Sequence, residues 1–202
     1  MKRLLDITAS GLGLIVLSPI FLVLAIWIKL DSKGPVFYRQ VRVGRNNKDF
    51  RIFKFRSMRV GSDKGSLITI GGRDPRITRS GYFIRKFKLD ELPQLFNVLV
   101  GDMSLVGPRP EVRHYVDYWT AEQMHVLDVR PGITDPASIK FCNENELMAQ
   151  VEDPEKYYIE VIMQEKIKIY LEYVENHSFL GDLGLIFKTF WVIVKEELKI
   201  DS

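Results

Sequence analysis

Twenty-four residues near the N-terminus, Ile7 to Leu30, read ITASGLGLIVLSPIFLVLAIWIKL and carry one charge, Lys29. As a straight helix they run roughly 36 Å at 1.5 Å per residue, enough to cross a hydrocarbon core of about 30 Å. Ser18-Pro19 interrupts the stretch at its middle, where proline withholds an N–H donor and bends a helix. Broken there, each arm is roughly 17 Å long and neither crosses alone. Cations flank both ends: Lys2 and Arg3 before, Lys29, Lys33, Arg39, Arg42 and Arg45 after. The positive-inside rule keeps both flanks in the cytoplasm, which a re-entrant helix-break-helix satisfies. The Ser18 hydroxyl is then placed to bond a carbonyl freed by Pro19. A proline-kinked single span is the alternative that this pattern leaves open. A cleavable signal peptide fits less well, because Lys29, Asp31, Lys33 and Gly34-Pro35 follow in place of a small-residue cleavage site.

Charge is distributed unevenly behind a net value of +3. Residues 1–113 carry 21 Lys/Arg against 9 Asp/Glu, and residues 114–202 carry 8 against 17. A basic N-terminal half calls for anionic partners: nucleic acid, lipid head groups or phosphorylated substrates. No helix-turn-helix, zinc-finger or RNA-recognition pattern accompanies it, and nucleic acid would leave the apolar segment unexplained, so we expect none. The lone cysteine, Cys142, excludes an intrachain disulfide and fits a reducing compartment. His114, His125 and His177 lie too far apart for a familiar metal-ligand spacing.

After Gly34-Pro35, two runs read as strands of a β-hairpin: Val36–Val43 and Phe50–Arg56, joined by the polar turn 44–49. The second run is expected to present one apolar edge and one basic edge made by Arg51, Lys54 and Arg56. Residues 61–81 are rich in Gly and Arg and read as a long loop. Helices are expected from Asp90 to Leu99, from Glu111 to about Val129, and over Pro154–Glu175 and Leu180–Lys199. An extended piece is expected around Ile133–Phe141. Leu183, Ile186, Phe187, Phe190, Trp191 and Val194 recur at helical spacing, with Lys188, Lys195 and Lys199 elsewhere. Such an amphipathic helix suits a membrane interface, and equally the core of the same domain.

The stretch Arg85-Lys86-Phe87-Lys88-Leu89-Asp90-Glu91-Leu92-Pro93-Gln94-Leu95 carries the most chemistry. Pro93 is tolerated in a first helical turn, which places Asp90 and Glu91 at a helix N-terminus. Adjacent carboxylates there serve either as cap and dipole-favoured acid, or as an ionised pair able to hold magnesium or attack phosphorus. Gly71–Gly81 contributes Arg73, Arg76 and Arg79 without the spacing or lysine of a P-loop. Pro108-Arg109-Pro110 fixes an arginine between two restrained backbone angles.

Five motifs together resemble the bacterial sugar transferase family of monotopic phosphoglycosyl transferases. They are Lys54-Phe55-Arg56-Ser57-Met58, Asp74–Arg79, Leu89–Val98, Gly101–Pro110 and Arg130–Thr134, in order along nearly the whole chain. The resemblance implies a minimal catalytic form, lacking the extra membrane helices and soluble domain of larger members. It implies transfer of a phosphosugar from a UDP-sugar to polyprenyl (undecaprenyl) phosphate at the cytoplasmic face of the bacterial inner membrane. Asp90 corresponds to the nucleophile, with Glu91 beside it as metal ligand or orienting group and Mg2+ as cofactor. Arg85 and Arg109 are the leading phosphate binders, with Lys54, Arg56, Arg76, Arg79 and Arg130 from the same motifs. The expected fold is mainly α with a small β-hairpin. Residues 1–33 form the re-entrant membrane helix broken at Ser18 and Pro19, residues 34–202 a catalytic domain, and amphipathic helices meet phospholipid. A membrane-anchored scaffold that grips anionic lipid without catalysis is the competing class.

Overall fold

A computed structural model describes residues 1–62, 74–141 and 144–198. Helices α1 (Lys2–Val16) and α2 (Ser18–Asp31) meet at Leu17 with a bend of 59°. Pro19 sits in the first turn of α2, and the Ser18 hydroxyl donates to the Ile15 carbonyl at 2.7 Å. Among the described residues no single helix is long and apolar enough to cross a membrane; the bent pair together is, by length and composition.

Neither arm stands free of the rest of the chain. Leu24 and Ile28 of α2 are buried with Phe55 and Ile84, while Leu22, Val23 and Ile26 face outward. Asp31, at the end of α2, accepts the N–H and hydroxyl of Ser80 at 2.9 and 2.8 Å. Arm α1 is tied by polar groups. The buried Asp6 carboxylate accepts the Ser104 hydroxyl and the Leu105 N–H at 3.1 and 2.9 Å. Arg3 donates to the carbonyls of Val98 and Leu99 at 2.6 and 2.9 Å. Lys2 donates to the Val106 carbonyl at 2.9 Å and pairs with Asp182. Each of these replaces a hydration shell that burial removes.

Strands β1 (Phe37–Val43) and β2 (Asp49–Phe55) pair antiparallel from Phe37↔Phe55 to Val43↔Asp49, as expected. Asn46 and Asn47 turn the hairpin with φ of 57° and 59°, a left-handed conformation that asparagine tolerates. The expected single basic edge of β2 is not formed. Side chains alternate with period two, so Arg51 and Lys54 point to opposite faces. Helix α3 (Arg79–Lys86), within the basic region but not foreseen, closes on the segment after β2 at Gly81. A Cβ there would lie 1.9 Å from the Ser57 carbonyl oxygen. A 3-10 turn (Leu89–Glu91) and helix α4 (Gln94–Val100) follow. Strand β3 (Ser104–Val106) pairs parallel with β4 (Gly132–Thr134).

Two expected elements are replaced. The helix read over Glu111–Val129 is instead a short α5 (Arg113–Val116) and a 3-10 segment (Gln123–Asp128). Its apolar residues serve two cores, Val112, Tyr115 and Val126 in one, Val116 and Leu127 in the other, which one straight helix does not serve. The extended piece at Ile133–Phe141 stops after Thr134, where the Asp135 carboxylate caps α6 (Pro136–Lys140) by accepting the Ser138 N–H at 2.8 Å. Helix α7 (Glu144–Met148) precedes the long terminal pair. The Pro154–Glu175 expectation holds as α8 (Pro154–Tyr157), a π-turn (Tyr158–Ile162) and α9 (Met163–Asn176). Helix α10 (Phe179–Leu198) turns Asp182 inward and exposes Leu180, Phe187, Phe190 and Trp191. Lys199, Arg73 and Cys142 lie outside the described residues. The molecule is mainly helical with a small hairpin.

Candidate active site

Asp90 and Glu91 do not open a long helix. Helix α4 begins only at Gln94, with Pro93 as its N-cap, and the two acids occupy the separate 3-10 turn. Lys88, at φ 54°, makes the left-handed step that reverses the chain between α3 and this turn. A helix dipole therefore does not charge the pair; cations from other segments do.

Glu91 is the fixed member. Its carboxylate accepts Lys54 Nζ from β2 at 2.9 Å and Arg109 Nη2 at 2.5 Å, with Arg109 Nη1 at 3.4 Å. Burial opposes the charge, but Arg109 and Lys54 outweigh it and hold the Glu91 carboxyl well below the usual carboxylate range. Burial in turn pushes the Lys54 ammonium down, with Glu91 opposing that shift.

The bonds that fix Glu91 have no counterpart at Asp90 among the described residues. Asp90 is buried to 8% exposure and lines a cleft of about 390 Å3. Burial pushes its carboxyl up, Lys54 pulls it down, and the adjacent Glu91 pushes it up again. One carboxylate is locked as an anion between two cations; its neighbour faces the cleft with its oxygens uncommitted.

The cleft collects most of the anticipated cations. Lys54, Arg56, Arg76, Arg85 and Arg109 all line it with Asp90. Their commitments differ. Arg76 is clasped by Asp74, with Nη2 to Oδ2 at 2.6 Å. Arg56 donates to the carbonyls of Ser32 and Lys33 at 2.8 and 2.5 Å, closing the C-terminal end of α2. Arg79 is exposed at the start of α3 and is not in the cleft wall, and Arg130 instead donates to the Gly101 carbonyl at 2.8 Å.

Sequence reading missed several residues that build this wall. Tyr38, Gln40 and Arg42 line the cleft from β1, and Tyr38 lies directly across from Lys54. Their period-two spacing was the available signal, but it requires knowing which β1 residue faces Lys54. Arg42 braces the proline-flanked arginine by donating to the Pro110 carbonyl at 3.1 Å and pairing with Glu111 at 3.2 Å. Asn97, fully buried, accepts the Phe53 N–H at 2.9 Å and donates to the Arg51 carbonyl at 2.8 Å. It thereby sets α4 against the strand that carries Lys54.

A cationic cleft with one anchored and one uncommitted carboxylate suits attack on a phosphoryl group, and the matching sequences say whose cleft it is. Residues 1–196 match the family described as bacterial sugar transferase. The chain belongs to this family. Over 197 residues it is 41% identical to UDP-N-acetylgalactosamine-undecaprenyl-phosphate N-acetylgalactosaminephosphotransferase of Aeromonas hydrophila, covering 96% of this chain and 44% of that protein. Two proteins named UDP-glucose:undecaprenyl-phosphate glucose-1-phosphate transferase are similar as well. That of Klebsiella pneumoniae is 44% identical (93% of this chain, 39% of that protein), and that of Escherichia coli K12 is 38% identical (94% and 39%). This sugar transferase chain thus spans less than half the length of these relatives.

Among the described residues no group of three or more His, Cys, Asp or Glu side chains could hold a metal. Magnesium needs less when phosphates supply the remaining oxygens: one or two carboxylates suffice. Asp90 fits that requirement. Glu91 fits it poorly, because Lys54 and Arg109 already take its oxygens.

Proposed function

We propose that this chain transfers a phosphosugar from a UDP-sugar to polyprenyl phosphate through a covalent Asp90 intermediate. The uncommitted Asp90 carboxylate in the cationic cleft, beside a Glu91 locked by Lys54 and Arg109, carries the reading. An Asp90 oxygen attacks the sugar-linked β-phosphorus, and the bond from that phosphorus to the bridging oxygen of the diphosphate breaks. UMP departs with that oxygen and its electron pair. A phosphate oxygen of the lipid then attacks the same phosphorus, Asp90 leaves as a carboxylate, and polyprenyl diphosphate sugar is formed. Arg109 and Arg85 offset the charge on the phosphates, and Glu91 holds Arg109 and Lys54 in place for them. Magnesium, held by Asp90 and the substrate phosphates, would supply further charge neutralisation.

The experiment is UMP release from a panel of UDP-sugars, with and without undecaprenyl phosphate. The relatives' printed donors differ in sugar, so the panel includes UDP-glucose and UDP-N-acetylgalactosamine. Release with one donor supports the reading. A lipid-gripping scaffold releases none with any.

We further propose that residues 1–33 form a re-entrant hairpin and residues 34–202 the catalytic domain, at the cytoplasmic face of the bacterial inner membrane. Support comes from α1, whose Lys2, Arg3 and Asp6 bond residues 98–106 and Asp182, on the same body as the cleft. An N-terminus so tied lies on the cleft's side of the membrane. The exposed apolar row of α10 suits the interface beside it. In a Cys142→Ser background, Leu4→Cys and Lys33→Cys are both expected to resist an impermeant thiol reagent in spheroplasts and to react in inverted vesicles. Labelling of only one of them from outside would establish a single span. Pro19→Leu is expected to move part of the population toward that form, because the uninterrupted stretch is long enough.

A further inference from the structure

Three aromatic rings run from the apolar N-terminal segment toward the turn that carries Asp90. Trp27 of α2 lies 5.3 Å from Phe83 of α3, and Phe83 lies 4.6 Å from Phe87, centroid to centroid. All three are exposed, at 38%, 44% and 38%. The other large apolar side chains that α1 and α2 leave exposed are aliphatic. The exposed ring that this pair of helices does carry, Trp27, is thus at the edge where α2 meets α3.

This row also has a direction. Phe87 ends α3, and Lys88 then turns the chain into Leu89–Glu91, so the last ring stands three residues before Asp90. Cations accompany it: Lys86 Nζ lies 5.4 Å over the Phe87 ring, and Arg85, one position earlier, lines the cleft. A row of rings that starts on α2 and ends under the Lys86 ammonium, three residues before a carboxylate, matches an amphiphile with an apolar chain and an anionic head.

We propose that Trp27, Phe83 and Phe87 are the docking platform for the prenyl chain of the lipid acceptor. The platform guides the acceptor's phosphate past Arg85 toward Asp90. The inference rests on the acceptor class proposed above and assigns that acceptor a place. Aromatic faces suit an isoprenoid, whose chain is apolar throughout and carries repeated planar double bonds. Charge complementarity decides for the acceptor over a bilayer phospholipid. Lys86 stands over the last ring and its chain neighbour Arg85 lines the cleft of Asp90, where only a phosphate that reacts has reason to go.

The test uses the full chain in phospholipid nanodiscs, with undecaprenyl phosphate as the probe and two readouts, equilibrium binding and steady-state kinetics. Phe83→Ser/Phe87→Ser is expected to raise both Kd and KM for undecaprenyl phosphate about tenfold, equivalent to about 1.4 kcal/mol, with KM for the UDP-sugar unchanged. Phe83→Leu/Phe87→Leu keeps an apolar cover and is expected to recover most of the affinity. If the serine pair melts early, Phe87→Gln alone is expected to raise the Kd about threefold, or about 0.65 kcal/mol. Unchanged Kd for the lipid overturns the proposal, as does an equal loss of affinity for both substrates. So does release of the variant from membranes with its lipid Kd intact, which would make the rings a seat for the bilayer. Loss of lipid binding in a protein whose wild type releases no UMP from any donor would uphold the platform and sink the proposed reaction, so the two failures are distinguishable.

Discussion

Asp90→Asn is expected to lower turnover by about 10⁴-fold or more and to leave no phosphosugar on the protein. The substitution keeps the shape and size of the side chain while removing the anion that attacks phosphorus. Wild-type protein given donor and magnesium without lipid should release UMP in a single burst matched to the protein concentration, and acid-quenched peptide mass spectrometry should find the added mass on Asp90. An adduct on Glu91, or turnover retained in Asp90→Asn, overturns the assignment. A strict need for lipid before any UMP appears would establish a ternary-complex reaction. The pH dependence follows from the direction of the Asp90 shift. Burial places its folded-state carboxyl above the ordinary value near ~3.9, so attack weakens at a higher pH than for a solvated aspartate. The acid limb of kcat/KM belongs to the Asp90–Glu91 pair and is read in the wild-type protein. For stability the sign is opposite to the usual carboxylate. A raised folded value makes ionisation of Asp90 a cost to the native state, accruing as pH rises from the unfolded value through the folded one. Asp90→Asn should therefore melt at or above the wild-type temperature at neutral pH.

Glu91→Gln is expected to do the reverse. Its side chain and that of Lys54 are each exposed to 17% and that of Arg109 to 39%. Removing one partner of a buried pair costs about 3–5 kcal/mol; with Arg109 able to turn to solvent we expect about 2–3 kcal/mol. Glu91's folded value is depressed, so its contribution is present above the unfolded value near ~4.3 and is lost as pH falls through the folded one. The difference in melting temperature between wild type and Glu91→Gln should thus be full at pH 7 and shrink in acid. Turnover should fall about 10²–10³-fold, since Lys54 and Arg109 lose their common anchor, while a slow adduct on Asp90 survives. Pairing the substitution with Arg109→Gln should restore part of the stability and none of the rate. Wild-type melting in Glu91→Gln would show that the ion pairs contribute nothing to the fold. Normal turnover with lowered stability would reduce Glu91 to a structural residue.

Different parts of the molecule were legible in the sequence to different degrees. The helix break was readable because its cause is local: Pro19 has no N–H wherever it sits, and Ser18 reaches Ile15 within one turn. The hairpin was readable from two alternating runs and a turn with two asparagines. Asp90 and Glu91, and five of the seven expected cations, came together in or beside the cleft because their motifs lie on segments that the fold converges. The helix expected over 111–129 was not legible as two pieces, since its apolar residues divide between cores that form only when α9 and β1 have packed.

By itself, then, the sequence determined what short-range chemistry controls: the bend at Leu17, the strand pair, the chemical types of the reactive groups and the family. Only tertiary structure decided which partners those groups bond. Adjacent in the chain, Asp90 and Glu91 are equivalent by pattern; they differ because Lys54 from β2 and Arg109 from beyond β3 both arrive at Glu91. Asp31 and Arg56 likewise became fasteners for α2 only through contacts with Ser80 and with the carbonyls of Ser32 and Lys33. Charge is a property of a residue, but its use depends on which opposite charge reaches it first, and that partner is chosen by packing among segments tens of residues apart.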